Sequence, residues 1–186
     1  MAKKRILVYV LAFCMVFTMV GNFSYMAASE ELLNNPGFES GTTNWSAYGS
    51  CTIAGNTTTV HSGAGALQIT GRTQTWNGPM QNITSVLNAN GQGDYTLASW
   101  IRLASGTDTA KVTLKVTDAS GTRYFPTTGT AVNSSAWTQC NGTVNVTWTG
   151  TDTEAIFYVE TAGSTANMYV DDCSLVYDSS GTPTPT

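Results

Sequence analysis

Charge is scarce in this 186-residue sequence: Asp, Glu, Lys and Arg together make up 11% of it. Three of its eight basic residues, Lys3, Lys4 and Arg5, sit at the N-terminus; beyond them five basic residues face twelve acidic ones, a net charge of −7. A nucleic-acid binder carries the opposite balance. Histidine occurs once, at His61 before Ser62-Gly63, with no Ser/Asp constellation to make it a catalytic base, so it reads as a structural residue in a turn. No two cysteines show close CxxC spacing, which speaks against a metal site built from them. Long hydrophobic runs are missing too: the longest predominantly apolar run, Ile6 to Val20, is 15 residues, short of the roughly 20 that a membrane-spanning helix needs.

What is present begins with that stretch. Preceded by Lys3, Lys4 and Arg5 and followed by small residues at Ala27, Ala28 and Ser29, it has the layout of a secretory signal peptide. Residues 1–28 are therefore set apart as a leader, and the mature protein is expected to be secreted, with no membrane association once the leader is removed. The remainder up to residue 178 is one domain's worth of chain. Residues 179–186, Ser-Ser-Gly-Thr-Pro-Thr-Pro-Thr, change abruptly to a Pro/Thr tract of the kind that stays extended between modules, and read as a linker to a downstream domain. Cys14 falls in the leader, leaving Cys51, Cys140 and Cys173. An oxidising compartment permits one disulfide and an odd thiol among them; the alternative is three small apolar residues buried in strands.

From Leu32 onward, short runs separated by Gly, Asn, Ser and Asp follow one another with no useful helical period, the spacing of an all-β sandwich. The expected strands are 50–54, 66–70, 93–103, 110–117, 122–125, 138–146, 155–161 and 167–176. Alternation is clearest in Lys111-Val112-Thr113-Leu114-Lys115-Val116, which turns Val112, Leu114 and Val116 inward and both lysines outward. Asp118-Ala119-Ser120-Gly121 then makes a turn, and Thr122 to Phe125 returns as a hairpin partner. Tyr124 and Phe125 must face opposite ways, one toward the core and one toward a surface.

In Ile156-Phe157-Tyr158-Val159-Glu160 the same period aims Tyr158 and Glu160 at one face and Phe157 and Val159 at the other. An aromatic ring beside a carboxylate suits a sugar, whose C–H face lies against the ring while a pair of hydroxyls donates to the carboxylate. Trp76 precedes an Asn77-Gly78-Pro79 turn and follows polar Thr73, Gln74 and Thr75, which places it at a surface. Trp45 is expected in the core, and Trp100, Trp137 and Trp148 are expected to be packing residues.

Several segments resemble the family 22 carbohydrate-binding modules, xylan-binding β-sandwiches attached to bacterial xylanases. They are Asn35-Pro36-Gly37-Phe38-Glu39, Asn44-Trp45, His61-Ser62-Gly63, the 71–79 segment GRTQTWNGP, Arg123-Tyr124, Tyr158-Val159-Glu160-Thr161 and Tyr169-Val170-Asp171-Asp172. The match covers essentially the whole mature chain, and the GRTxTWNGP and YVET segments are the specific ones. The resemblance implies a jelly-roll sandwich of galactose-binding-like type with a xylan cleft on its concave sheet, built from Trp76, Tyr124, Tyr158 and Glu160. A further cleft position, an arginine in a characterised member, corresponds to Tyr48, which cannot supply a guanidinium fork. The resemblance also implies a structural Ca2+, for which Glu39 and Asp171 are the best side-chain candidates, with carbonyls of 35–37 and 62–65 completing the shell. Asp172 ranks lower, because a regular strand would point it to the other face.

The expected function is that of a non-catalytic module that binds xylan, or mixed-linkage β-glucan, and keeps an appended xylanase near its substrate. Two other classes share the features: a small secreted jelly-roll glycosidase, and a cell-surface adhesion sandwich with no sugar specificity. The first needs two carboxylic acids flanking the scissile bond, and the second predicts that Trp76, Tyr124 and Tyr158 are buried or scattered.

Overall fold

Two antiparallel sheets dominate residues 30–178, the part of the chain that the computed structural model describes. The expected leader, 1–28, and the Pro/Thr linker, 179–186, lie outside these residues. The elements run in order β1 (Ser46–Tyr48), β2 (Thr52–Asn56), β3 (Ala66–Thr70), β4 (Gly78–Asn82), α1 (Thr84–Asn90) and β5 (Gly93–Leu103). They continue with β6 (Thr107–Asp118), β7 (Gly121–Pro126), β8 (Thr130–Asn133), β9 (Thr138–Val146), β10 (Glu154–Thr161) and β11 (Met168–Tyr177). The first sheet has the order β1-β4-β10-β6-β7, with β8 also paired to β6, and the second β2-β3-β11-β5-β9.

The core between the sheets follows from the period-2 pattern. On β5, Tyr95, Leu97, Ile101 and Leu103 are buried at every second position; from the first sheet Val112, Leu114 and Val116 of β6 and Phe157 and Val159 of β10 face them. Phe157 is fully buried and packs edge-on against Trp45 at 6.0 Å, which in turn meets Phe38 at 5.0 Å. Truncating such a ring costs about 3–5 kcal/mol. Phe125 is half-buried against this core while Tyr124 beside it is 55% exposed.

The structure adds β1, β4, β8 and α1 to the expected strands. β4 carries Pro79, which lacks a backbone donor and belongs away from central ladders. It is tolerated because Pro79 is paired with Ala47 of β1, whereas β10 pairs with Met80, Gln81 and Asn82 alone. Helix α1 is seven residues, too short to show a period; it buries Leu87 and stops at Gly91 with φ +91°.

Cys51, Cys140 and Cys173 are all free thiols, the last two buried in β9 and β11, so the permitted disulfide is not formed among the described residues. β11 is irregular as well. Its register against β5 shifts between Asp171 and Ser174, and Asp172 adopts φ +43°. This corrects the regular-strand expectation for Asp172: the bulge brings both aspartates to the 61–65 turn instead of sending them to opposite faces.

Candidate functional site

The outer face of the first sheet carries a pocket of about 400 Å³ lined by Tyr48, Trp76, Lys111, Thr113, Tyr124, Pro126, Tyr158 and Glu160. Pairing explains the convergence. Met80 of β4 lies opposite Tyr158 of β10, Tyr158 opposite Thr113 of β6, and Thr113 opposite Pro126 of β7. One rung over, Glu160 lies opposite Lys111. These positions share a face because each sits an even number of residues from its neighbours on the same strand.

Tyr158 forms the floor and is only 3% exposed. Tyr48 leans on it with ring centroids 4.7 Å apart and meets Trp76 edge-on at 5.3 Å. Trp76, 41% exposed, and Tyr124, 55% exposed, are the exposed large hydrophobic residues among those described, and both stand in this pocket. Sequence placed Tyr158 as an open stacking surface; in the structure the open faces belong to Trp76 and Tyr124, with Tyr158 supporting Tyr48 from below. Burial, with Tyr124 and two glutamates nearby, pushes the Tyr48 phenol up to about 12, and burial first of all pushes Tyr158 up as well. Both keep their hydroxyl proton near neutral pH and can donate it.

Trp76 is held by a loop wired to a buried guanidinium. Arg72, 6% exposed, donates to Asn77 O (2.7 Å), Ala166 O (2.8 Å), Thr75 O (2.5 Å) and Thr161 Oγ1 (2.7 Å). Asn77 Oδ1 accepts from Thr73 N (3.0 Å) and Gln74 N (2.8 Å). Gly49, at φ +72°, leaves room for the indole: a Cβ there would stand 2.4 Å from Trp76 and 2.0 Å from Asn77 Nδ2.

Polar groups are arranged beside the rings. Thr113 donates its hydroxyl to Glu160 Oε1 at 2.6 Å, which fixes the carboxylate and leaves Oε2 for a ligand. Lys115 pairs with Glu154 at 2.6 Å and stands 5.9 Å over the Tyr48 ring.

Residues 30–167 match the profile of the family described as "Carbohydrate binding domain". The chain belongs to this family. As a carbohydrate-binding domain it is 32% identical over 172 residues to Exoglucanase XynX of Acetivibrio thermocellus, a match covering 87% of the chain and 16% of that protein. Endo-1,4-beta-xylanase A of Thermoanaerobacterium saccharolyticum is 32% identical over 149 residues, covering 78% of the chain and 12% of the xylanase. Among solved structures, the CBM22-1 xylan-binding domain of Paenibacillus barcinonensis Xyn10C superposes with a TM-score of 0.68 at 25% identity, covering 80% of this chain and 95% of that one. The domain thus spans less than a fifth of the length of the two enzymes it matches, and its two-sheet jelly-roll fold agrees with the family 22 resemblance read from the sequence motifs.

All five expected ligand positions of the domain, Tyr48, Trp76, Tyr124, Tyr158 and Glu160, line the one pocket. Sequence reasoning missed Lys111, Thr113 and Pro126. The alternation already set Lys111 and Thr113 on one outward face, but only the β6–β10 register puts that face beside Tyr158 and Glu160.

The expected metal ligands lie elsewhere, clasping one turn from both ends. Glu39 accepts from Ala64 N with both oxygens at 3.0 Å and from Gly65 N at 3.3 Å. Asp171 accepts from His61 N (2.8 Å), Ser62 N (3.2 Å) and Asp172 N (2.8 Å). Asp172 takes Ser62 Oγ and His61 Nδ1, and the His61 ring stacks on Trp100 at 3.8 Å with Trp137 edge-on at 5.9 Å. A carboxylate has about four lone-pair sites, so Glu39 and Asp171 each retain acceptor capacity. Among the described residues no group of three or more His, Cys, Asp or Glu converges as metal ligands. Carboxylate oxygens of this kind are the hard donors that Ca2+ takes.

Proposed function

We propose that this chain is a secreted, non-catalytic module that binds xylan in the Trp76–Tyr124 groove and keeps an appended catalytic domain, a xylanase, at its substrate. The observation that carries the proposal is the combination of two exposed rings with an oriented carboxylate in one groove. Pyranose faces lie on Trp76 and Tyr124, and adjacent hydroxyls donate to Glu160 while the Tyr48 hydroxyl donates or accepts. The matched proteins are named xylanases or exoglucanase, and the solved domain is titled xylan-binding, which supports the choice of polymer. Tethering raises the effective concentration of polymer at the catalytic domain without breaking any bond.

A glycosidase needs a carboxyl pair about 5–10 Å apart. Glu160 is the carboxylate that lines the pocket; Glu154, on the same face of β10, is six residues away, roughly 20 Å along a strand, and is paired with Lys115. An adhesion sandwich with scattered aromatics is disfavoured by the clustering of Trp76, Tyr124, Tyr48 and Tyr158. Glu39 and Asp171 would hold a structural calcium that ties the 61–65 turn to both ends of the domain.

Affinity electrophoresis through gels containing soluble xylan or mixed-linkage β-glucan tests the proposal. Retardation by xylan is expected, reduced about 2- to 12-fold in affinity by Trp76→Ala, as a stacking contact of about 0.5–1.5 kcal/mol implies. Mobility unchanged by either polymer would remove the binding function, and release of reducing sugar would make the chain an enzyme.

A further inference from the structure

Lys111 is the one groove residue whose charge has no use in the binding scheme above. It stands on β6 opposite Glu160 and beyond the last pair of the β7 ladder, Thr113 with Pro126; the β8 ladder starts only at Ala110 with Thr130. Lys111 therefore sits where the outer strand is interrupted, at the margin of the groove. Its stem passes Gly129, where an added Cβ would lie 3.7 Å from the lysine Cε.

The ion pairs among the described residues are His61–Asp172, Lys115–Glu154 and Arg123–Asp118. Lys111 takes part in none of them. Glu160, its neighbour across the ladder, is turned to the Thr113 hydroxyl, and Glu154 is occupied by Lys115. The groove thus holds an ammonium without a carboxylate partner, beside rings that suit an uncharged sugar chain. The domain is acidic, so an anionic polymer is repelled at long range, and a local cation is what lets a carboxylate approach.

We propose that Lys111 pairs with the carboxylate of a uronic-acid side group carried by the xylan chain, so that the groove selects acidic xylan over neutral xylan. This rests on the xylan reading above: the aromatic walls take the backbone, and the interrupted outer strand lets a side group leave the groove beside the ammonium. A partly exposed pair of this kind contributes a factor of about 2 to 5 in affinity and is screened as the Debye length falls from about 8 Å at physiological salt to about 3 Å at 1 M.

The test measures affinity of the chain for glucuronoxylan and for the same polymer with its carboxyl groups reduced to alcohols, at low and high salt. The expected acid-to-neutral affinity ratio is about 2 to 5 at low salt, falling toward one at 1 M salt and in Lys111→Met, and largely kept in Lys111→Arg. A ratio of one in the unaltered chain, or a ratio that survives Lys111→Met, overturns the proposal while leaving xylan binding intact. Binding to neither polymer removes the xylan reading and this proposal together. Equal binding to polygalacturonate would show that the ammonium reads any polyuronate, and would overturn the assignment to decorated xylan. Thermal melting of each variant guards against misfolding as the cause of a lost ratio.

Discussion

Replacing Arg72 with Met should both destabilise the domain and loosen Trp76, because this guanidinium ties the 72–77 loop to the start of β11 and the end of β10. Of its four acceptors, Thr75 O keeps the Thr161 amide at 3.1 Å, and the Thr161 hydroxyl keeps Ser164 O at 2.7 Å. The carbonyls of Asn77 and Ala166 lose the donors described for them. A buried acceptor left without a donor costs about 1–3 kcal/mol, so the two together give a loss of roughly 4 kcal/mol. At about 2–4 °C per kcal/mol for a domain of this size, Tm should fall by roughly 8–16 °C. Arg72→Lys should recover little of it, since one ammonium cannot reach acceptors spread around a planar fork. Calorimetry gives Tm, and affinity electrophoresis at a temperature where the variant is folded gives the groove effect, expected as a weakening comparable to Trp76→Ala. A variant that melts within about 2 °C of the parent, or binds xylan equally well, would refute the view that Arg72 presents the indole.

Gly49→Ala places a methyl into the Trp76 ring at a left-handed backbone position, so it should lower both Tm and xylan affinity, the stability loss being about 1–3 kcal/mol. The Tyr48 phenol, raised to about 12 by burial, favours the protonated form in the folded state. Its stabilising effect is complete below the unfolded value of about 10 and is lost between there and about 12; denaturant titrations should therefore show stability falling over that alkaline window, with a delayed ultraviolet tyrosine transition. Calcium at the 61–65 turn should raise Tm, by about 2.7 kcal/mol of linkage at a hundredfold excess over its Kd. Addition of EDTA to the purified chain should reverse the shift, and an unchanged melt would leave the turn to its carboxylate–amide bonds alone.

The sequence made legible what repeats with a short period. Strands 66–70, 93–103 and 138–146 have the expected bounds, because inward-facing residues recur along them at every second position. Gly78–Asn82 carries no such pattern: it is a strand because β1 and β10 flank it, and Gly78 lets it come within reach of Val159 O, where any Cβ would stand 1.9 Å away. The groove was legible on the same terms. Trp76, Tyr124 and Glu160 could be assigned to a surface from local pattern, whereas the presence of Lys111 and Thr113 beside them, and the burial of Tyr158 under Tyr48, follow from inter-strand register, which a single sequence does not encode locally. The bulge at Asp171–Ser174 is illegible for a like reason, since Asp172, at positive φ, has its partners in His61 and Ser62, 111 and 110 residues away.

The last stretch of β11, Ser174 to Tyr177, has β5 on one side and the N-terminal segment on the other, where Leu32 N donates to Leu175 O at 2.9 Å and Leu175 N to Glu31 Oε1 at 3.0 Å. In mechanical terms the chain leaves the domain from a seam stitched on both edges. A pull at residue 178 loads both rows of bonds together instead of peeling one free edge. The groove lies on the opposite sheet, so such a force reaches it only through the packed core.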